Sequence, residues 1–183
     1  MDYLAYDAPE TFFEDYCFYF VPMMDVDGVE NGDQGKERSP HDHNRDYEKD
    51  RYNSVRALKE FAAPLDIEFF LDLHCPGLQT SKPYLYYTDE DEAVVAEFSR
   101  ILADTTAESE HENPIIFDGS SDYRDGPHFA ACSKGYFFLK AGSPFSTTLE
   151  FPYSGVVGNE YTIDRMYDFG TSVIKAVEKY LTK

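Results

Sequence analysis

Short apolar runs alternate with segments of helical period along this chain, and no other feature constrains the fold as strongly. The runs YCFYFVPMM at 16 to 24 and IEFFLDL at 67 to 73 are short for helices and rich in strand-forming side chains. Each reads as a buried strand. Between them, Asn53 or Ser54 opens a helix that turns Val55, Leu58 and Phe61 or Ala62 inward and ends before Pro64. Further strands are expected at 84 to 87, 115 to 117, 136 to 139 and 146 to 151. A helix opening at Asp89 carries the stripe Val94, Phe98, Ile101 and Leu102. A last helix opens at Thr162, with Met166, Val173, Ile174, Val177, Tyr180 and Leu181 on one face. Strands alternating with helices predict a single α/β domain over residues 1–183, with a mainly parallel or mixed sheet flanked by helices.

Two long polar loops interrupt this pattern, at residues 25 to 50 and 118 to 127. In a compact domain such loops are usually functional or disordered. The formal charge of −19 repels phosphate backbones, so nucleic acid is not an expected partner. The three cysteines, Cys17, Cys75 and Cys132, lack C-x-x-C spacing and are expected to be reduced rather than a disulfide framework or a thiolate zinc site. The acidic start MDYLAYDAPETFFEDY is unlike a signal peptide, and no apolar run reaches the length of a membrane span. The expected location is cytoplasmic, with no membrane partner.

In open α/β sheets, ligands bind beyond the carboxyl ends of the strands. Three polar clusters fall at such places: the loop 25 to 50, Asp72-Leu73-His74, and Glu150 within STTLEFPYSG. The segment DVDGVENGDQG is not an EF-hand loop. Counted from Asp25, it has Val29 where an oxygen ligand is needed, Glu30 in place of glycine and Lys36 in place of glutamate. His41 and His43 are two apart in a loop, whereas paired helical ligands sit three or four apart. His111 reads as an exposed helix end, and His128 as a loop residue. His74 directly follows a buried strand and is held rigidly there. It suits either zinc ligation or a bond to a backbone carbonyl.

Taken in order, DVDGVENGDQGKERSPHDHNRDY, FLDLHCPG and TTLEFPYSG resemble the zinc carboxypeptidase family, most nearly its cytosolic-type and bacterial relatives. The resemblance runs from about residue 16 to the C-terminus and implies a zinc-carboxypeptidase-like fold. It implies that Asn44 and Arg45 bind the terminal carboxylate of a peptide, for which a guanidinium fork is well shaped. Arg38, or Lys36 or a neighbouring loop position in its stead, polarises the scissile carbonyl. Asp42 orients a zinc-bound imidazole, His74 ligates Zn2+, and Glu150 is the general base. Tyr123 and Tyr136 are candidates for the tyrosine that covers the substrate. The implied activity is removal of a C-terminal residue from peptide or protein C-termini.

The sequence departs from that pattern in one respect. The family's other two zinc ligands come from an H-x-x-E motif upstream of the D-G segment, and no H-x-x-E occurs in these 183 residues. A catalytic zinc takes three protein ligands plus water, so the zinc site is expected to be incomplete and the leading strands and helix of the fold to be missing. Uncovered sheet edge would then favour a homo-oligomer. Two readings stay open: part of a carboxypeptidase, or an inactive relative that binds peptide C-termini or a protein partner without hydrolysis.

Overall fold

The computed structural model describes residues 3–33, 35–75, 81–120, 122–126, 128–152, 155–156 and 159–183. Its strands are β1 (Phe69–His74), β2 (Tyr84–Tyr87), β3 (Tyr123–Arg124), β4 (Phe145–Glu150), β5 (Gly155–Val156) and β6 (Asn159–Glu160). The first four form a sheet in the order β1-β4-β2-β3, while β5 and β6 form a separate antiparallel hairpin. Strand β2 runs antiparallel to β4, with Tyr84 opposite Glu150 and Leu85 opposite Leu149, and parallel to β3, with Tyr86 opposite Tyr123. The sheet is thus mixed. The helices are α1 (Glu10–Asp15), α2 (Val26–Asn31), α3 (Asn53–Ala62), α4 (Glu92–Ala107), α5 (Ser133–Leu139) and α6 (Ile163–Leu181). The chain is α/β, as the alternation of its segments predicts. No helix among the described residues is long and apolar enough to cross a membrane.

Two compact units make up the chain. One comprises residues 1–18, 73–124 and 149–183, and the other residues 19–72 and 125–148. In the first unit α4 packs on α6. Helix α4 buries Val95, Phe98, Ile101 and Leu102, and α6 buries Phe169, Val173, Ala176 and Val177, each set repeating at helical spacing. Thr162 caps α6 by accepting the Arg165 N–H at 3.3 Å, at the start that the sequence predicts. The second unit is built on Tyr47, Val55, Ala62 and Phe137, with Leu58, Ile67 and Phe70 packed against them. Phe70 stacks on Phe137 with ring centroids 3.8 Å apart, and Phe69 stacks on Phe145 at 4.1 Å. Helix α3 turns Ala62 inward and leaves Phe61 half exposed.

Four local expectations are corrected. Residues 16 to 24 lie in neither strand nor helix, and Tyr19, Phe20, Val21 and Met23 are about half exposed. A continuous apolar run is a buried strand only when both its faces are covered. The run at 136 to 139 belongs to helix α5, where Phe137 is buried and Leu139 exposed; periodicity over four residues does not separate the two states. Residues 115 to 117 are not a strand, although Ile115 and Phe117 are buried. The Phe117 N–H goes to the Thr106 hydroxyl, 3.1 Å away, instead of to a ladder. The loop after residue 25 contains α2, which Asp25 caps by accepting the Gly28 N–H at 3.0 Å and Gly32 closes at a φ of 73°.

Candidate active site

The candidate residues fall into two groups, one in each unit. In the second unit the stretch SPHDHNRDY is organised by Asp46, whose side chain is wholly buried. Its carboxylate accepts the backbone N–H groups of Arg51 at 3.0 Å and Tyr52 at 2.8 Å, and lies 2.6 Å from His41 Nε2. Burial alone would raise the Asp46 pKa. The Tyr52 and Arg51 donors together with His41 outweigh burial and hold it below the ordinary value of 3.8. The Tyr52 hydroxyl donates to the His41 carbonyl, and the Tyr52 ring stacks on His43 at 3.6 Å. His43 Nδ1 faces Asp25 at 3.2 Å, and burial lowers the His43 pKa. His41 and His43 are thus spent on building the loop.

Arg38 is held by two carboxylates, its Nε 2.7 Å from Asp25 and one terminal nitrogen 2.8 Å from Asp33. The guanidinium expected to polarise a substrate carbonyl is an internal clasp of its own loop. Asp42 is used just as locally, capping the turn His43–Arg45 by accepting the Asn44 N–H at 2.8 Å. The Asn44 side chain donates to Asp72 Oδ2 at 3.3 Å and accepts the Ser133 N–H at 2.8 Å, while the Ser133 hydroxyl donates to the same Asp72 oxygen. Arg45 donates to the Asn44 carbonyl at 2.6 Å. Half-buried, it makes no ion pair with a carboxylate among the described residues.

In the first unit β1 ends at His74 and β4 at Glu150. His74 Nδ1 lies 3.5 Å from Glu150 Oε1, with 30% of the imidazole and 14% of the carboxylate side chain accessible. The Phe151 N–H donates to the His74 carbonyl at 2.8 Å, tying the two strand ends together. The structure therefore joins the two residues that the sequence reading places some seventy-five positions apart as metal ligand and general base. Residues 76–80, which include Pro76 and Gly77 after His74, lie outside the described residues. So does the Tyr123 side chain, though its backbone is in β3. Tyr136 packs against Tyr47 at 5.8 Å, with the Lys59 ammonium 4.9 Å from its ring.

Asp46 and Ser133 were missed as organisers. Ser133 opens SKGYFFL and would have read as a helix start had residues 136 to 139 been taken as helical. A buried acceptor such as Asp46 leaves no mark in the sequence beyond its residue type.

Zinc needs three protein donors. Among the described residues no group of three or more His, Cys, Asp and Glu side chains is gathered as a metal ion requires.

No family model matches the chain, and no curated protein matches it in sequence. Its fold has solved neighbours. A metallo-carboxypeptidase from Burkholderia cenocepacia superposes with a TM-score of 0.70 at 15% identity, over 88% of this chain and 44% of its own. A metallo-carboxypeptidase from Pseudomonas aeruginosa, in complex with (2-guanidinoethylmercapto)succinic acid, superposes with a TM-score of 0.66 at 17% identity, over 88% of this chain and 45% of its own. The chain thus has a metallo-carboxypeptidase-like fold and spans a little under half the length of the carboxypeptidases that share it.

Proposed function

We propose that this chain is a metallocarboxypeptidase relative that takes peptides by their C-terminal carboxylate, with Arg45 as the receiving cation. The observation that carries this reading is the half-buried Arg45 guanidinium, which has no carboxylate partner among the described residues. A guanidinium withdrawn from water gains most from a ligand carboxylate in bidentate contact. Asn44, whose amide is engaged by Asp72 and Ser133, fixes the backbone from which Arg45 projects. The Pseudomonas aeruginosa neighbour, solved with a succinic acid derivative, is in keeping with carboxylate recognition on this fold.

In the hydrolytic form of this reading Glu150 takes the proton of the attacking water, and His74 is one of the metal donors. The described residues supply no third donor group, so hydrolysis needs donors beyond them. The same fact favours a second reading, in which the chain binds peptide C-termini without cutting them. Elemental analysis of the zinc-dialysed chain, with turnover of a free-acid peptide in parallel, separates the two. The expected result is substoichiometric zinc with little turnover. Near-stoichiometric zinc, with turnover abolished by Glu150→Gln, establishes the hydrolytic form in the chain alone.

A further inference from the structure

Two residues with no part in the chemistry above, Tyr161 and Arg165, are placed to hold the His74–Glu150 pair. Arg165 sits in the first turn of α6 and is 4% exposed. It donates to the Glu160 carbonyl at 2.5 Å, the Asn159 side-chain oxygen at 2.9 Å and the Pro114 carbonyl at 3.2 Å. Every one of those acceptors is neutral. A buried guanidinium spent on the β5–β6 hairpin fixes that hairpin against the start of α6. Its charge also lies 5.5 Å from the centre of the Tyr161 ring.

Tyr161 then meets the pair through Phe151. Its ring meets Phe151 at 5.2 Å, and Phe151 rests in turn on Phe169 at 5.1 Å. Phe151 adjoins Glu150 and donates its N–H to the His74 carbonyl. The Tyr161 hydroxyl donates to the Ser81 carbonyl at 3.0 Å. Gly155 leaves the space that this packing needs: a Cβ there would meet the Asn159 carbonyl at 2.3 Å and the Tyr161 ring at 2.9 Å. From α6 to the strand ends the contacts are continuous: Arg165, Tyr161, Phe151, then His74 and Glu150.

We infer that Tyr161 is a positioning residue for the His74–Glu150 pair, acting through the ring of Phe151, and that Arg165 sets Tyr161 in place. The importance of the pair rests on the function proposed above, whereas its positioning does not. The experiment uses the full chain and needs no activity. Amide hydrogen exchange at Phe151 is measured by NMR together with the His74 ring-nitrogen and Glu150 carboxyl-carbon signals at one pH, in the parent, Tyr161→Phe and Tyr161→Ala. Slow amides of α6, such as that of Val173, report global stability. Expected are at least tenfold faster exchange at Phe151 in Tyr161→Ala, with the His74 and Glu150 signals shifted or split and Val173 within twofold of the parent. Tyr161→Phe keeps the ring contact and should restore both readouts, changing only the signals near Ser81.

The inference is overturned if Tyr161→Ala leaves the Phe151, His74 and Glu150 readouts at parent values. It is equally overturned if Tyr161→Phe disturbs them as much as Tyr161→Ala, or if Phe151 and Val173 accelerate together. Where the parent turns over peptide, Tyr161→Ala should lower kcat and leave KM within about twofold, because the carboxylate-binding cation is Arg45. Failure of that last readout alone, with the NMR result intact, counts against the roles proposed for His74 and Glu150 in hydrolysis and not against the positioning.

Discussion

Replacing Asp46 by alanine removes a carboxylate that is wholly buried and accepts two backbone N–H groups and the His41 imidazole. The loss is unevenly shared. Arg51 is exposed and its N–H can turn to water, while Tyr52 and His41 lie in the packed wall of the loop. Each buried donor left unmet costs about 1–3 kcal/mol, so Asp46→Ala should destabilise the chain by roughly 2–4 kcal/mol. At the usual scaling for chains of this length, that lowers Tm by about 4–16 °C. The effect also has a pH signature. The folded Asp46 carboxyl lies below the ordinary value of 3.8, so its stabilisation is complete above that value and is lost as pH falls below it. Urea unfolding of the parent and of Asp46→Asn, followed by circular dichroism from pH 7 to pH 2.5, gives both quantities. The gap between the two proteins should be constant above about pH 5 and close toward acid. An Asp46→Ala effect under about 0.5 kcal/mol, the size of an ordinary surface change, or a gap that widens toward acid, refutes this account of the loop.

Two further perturbations probe the second unit. Lys134 is buried with its ammonium 2.6 Å from Asp125 and 5.3 Å from the centre of the Phe129 ring. Asp125→Ala should cost roughly 3–5 kcal/mol in urea unfolding by removing a carboxylate paired with a buried ammonium, and Lys134→Met in the Asp125→Ala background should recover most of it. Phe137 stacks on Phe70 and is 2% exposed. Phe137→Ala should cost about 3–5 kcal/mol, and Phe137→Leu distinctly less, by the same measurement.

The parts of the fold legible in the sequence are those where one local rule sufficed. Helix α6 announces itself through Thr162 and a long apolar stripe, and β4 through STTLEF, within which the strand ends on Glu150. What local pattern left hidden depended on partners distant in the chain. Residues 16 to 24 read as a strand, yet nothing in their own composition says whether a neighbour covers them. YFFL is helical and places Phe137 against Phe70, a partner far away in the sequence. At the site, the pairing of His74 with Glu150 followed from two strand ends and a family resemblance. The capture of Arg38 by Asp25 and Asp33 did not, because charged residues that meet across a loop carry no periodic signal. The spacing of His41 and His43 told against metal ligation, but it did not show that His41 partners Asp46, the acid that holds the stretch together.

The most direct test of the central claim is calorimetric titration of the chain with a short peptide bearing a free C-terminal carboxylate, and with the same peptide amidated. A bidentate charge-assisted contact contributes about 1.5–3 kcal/mol, so the free acid should bind at least about tenfold more tightly than the amide. Arg45→Ala should erase that preference while leaving the urea midpoint near that of the parent. Equal binding of acid and amide by the parent, or a preference that survives in Arg45→Ala, would contradict the claim that Arg45 receives the peptide carboxylate.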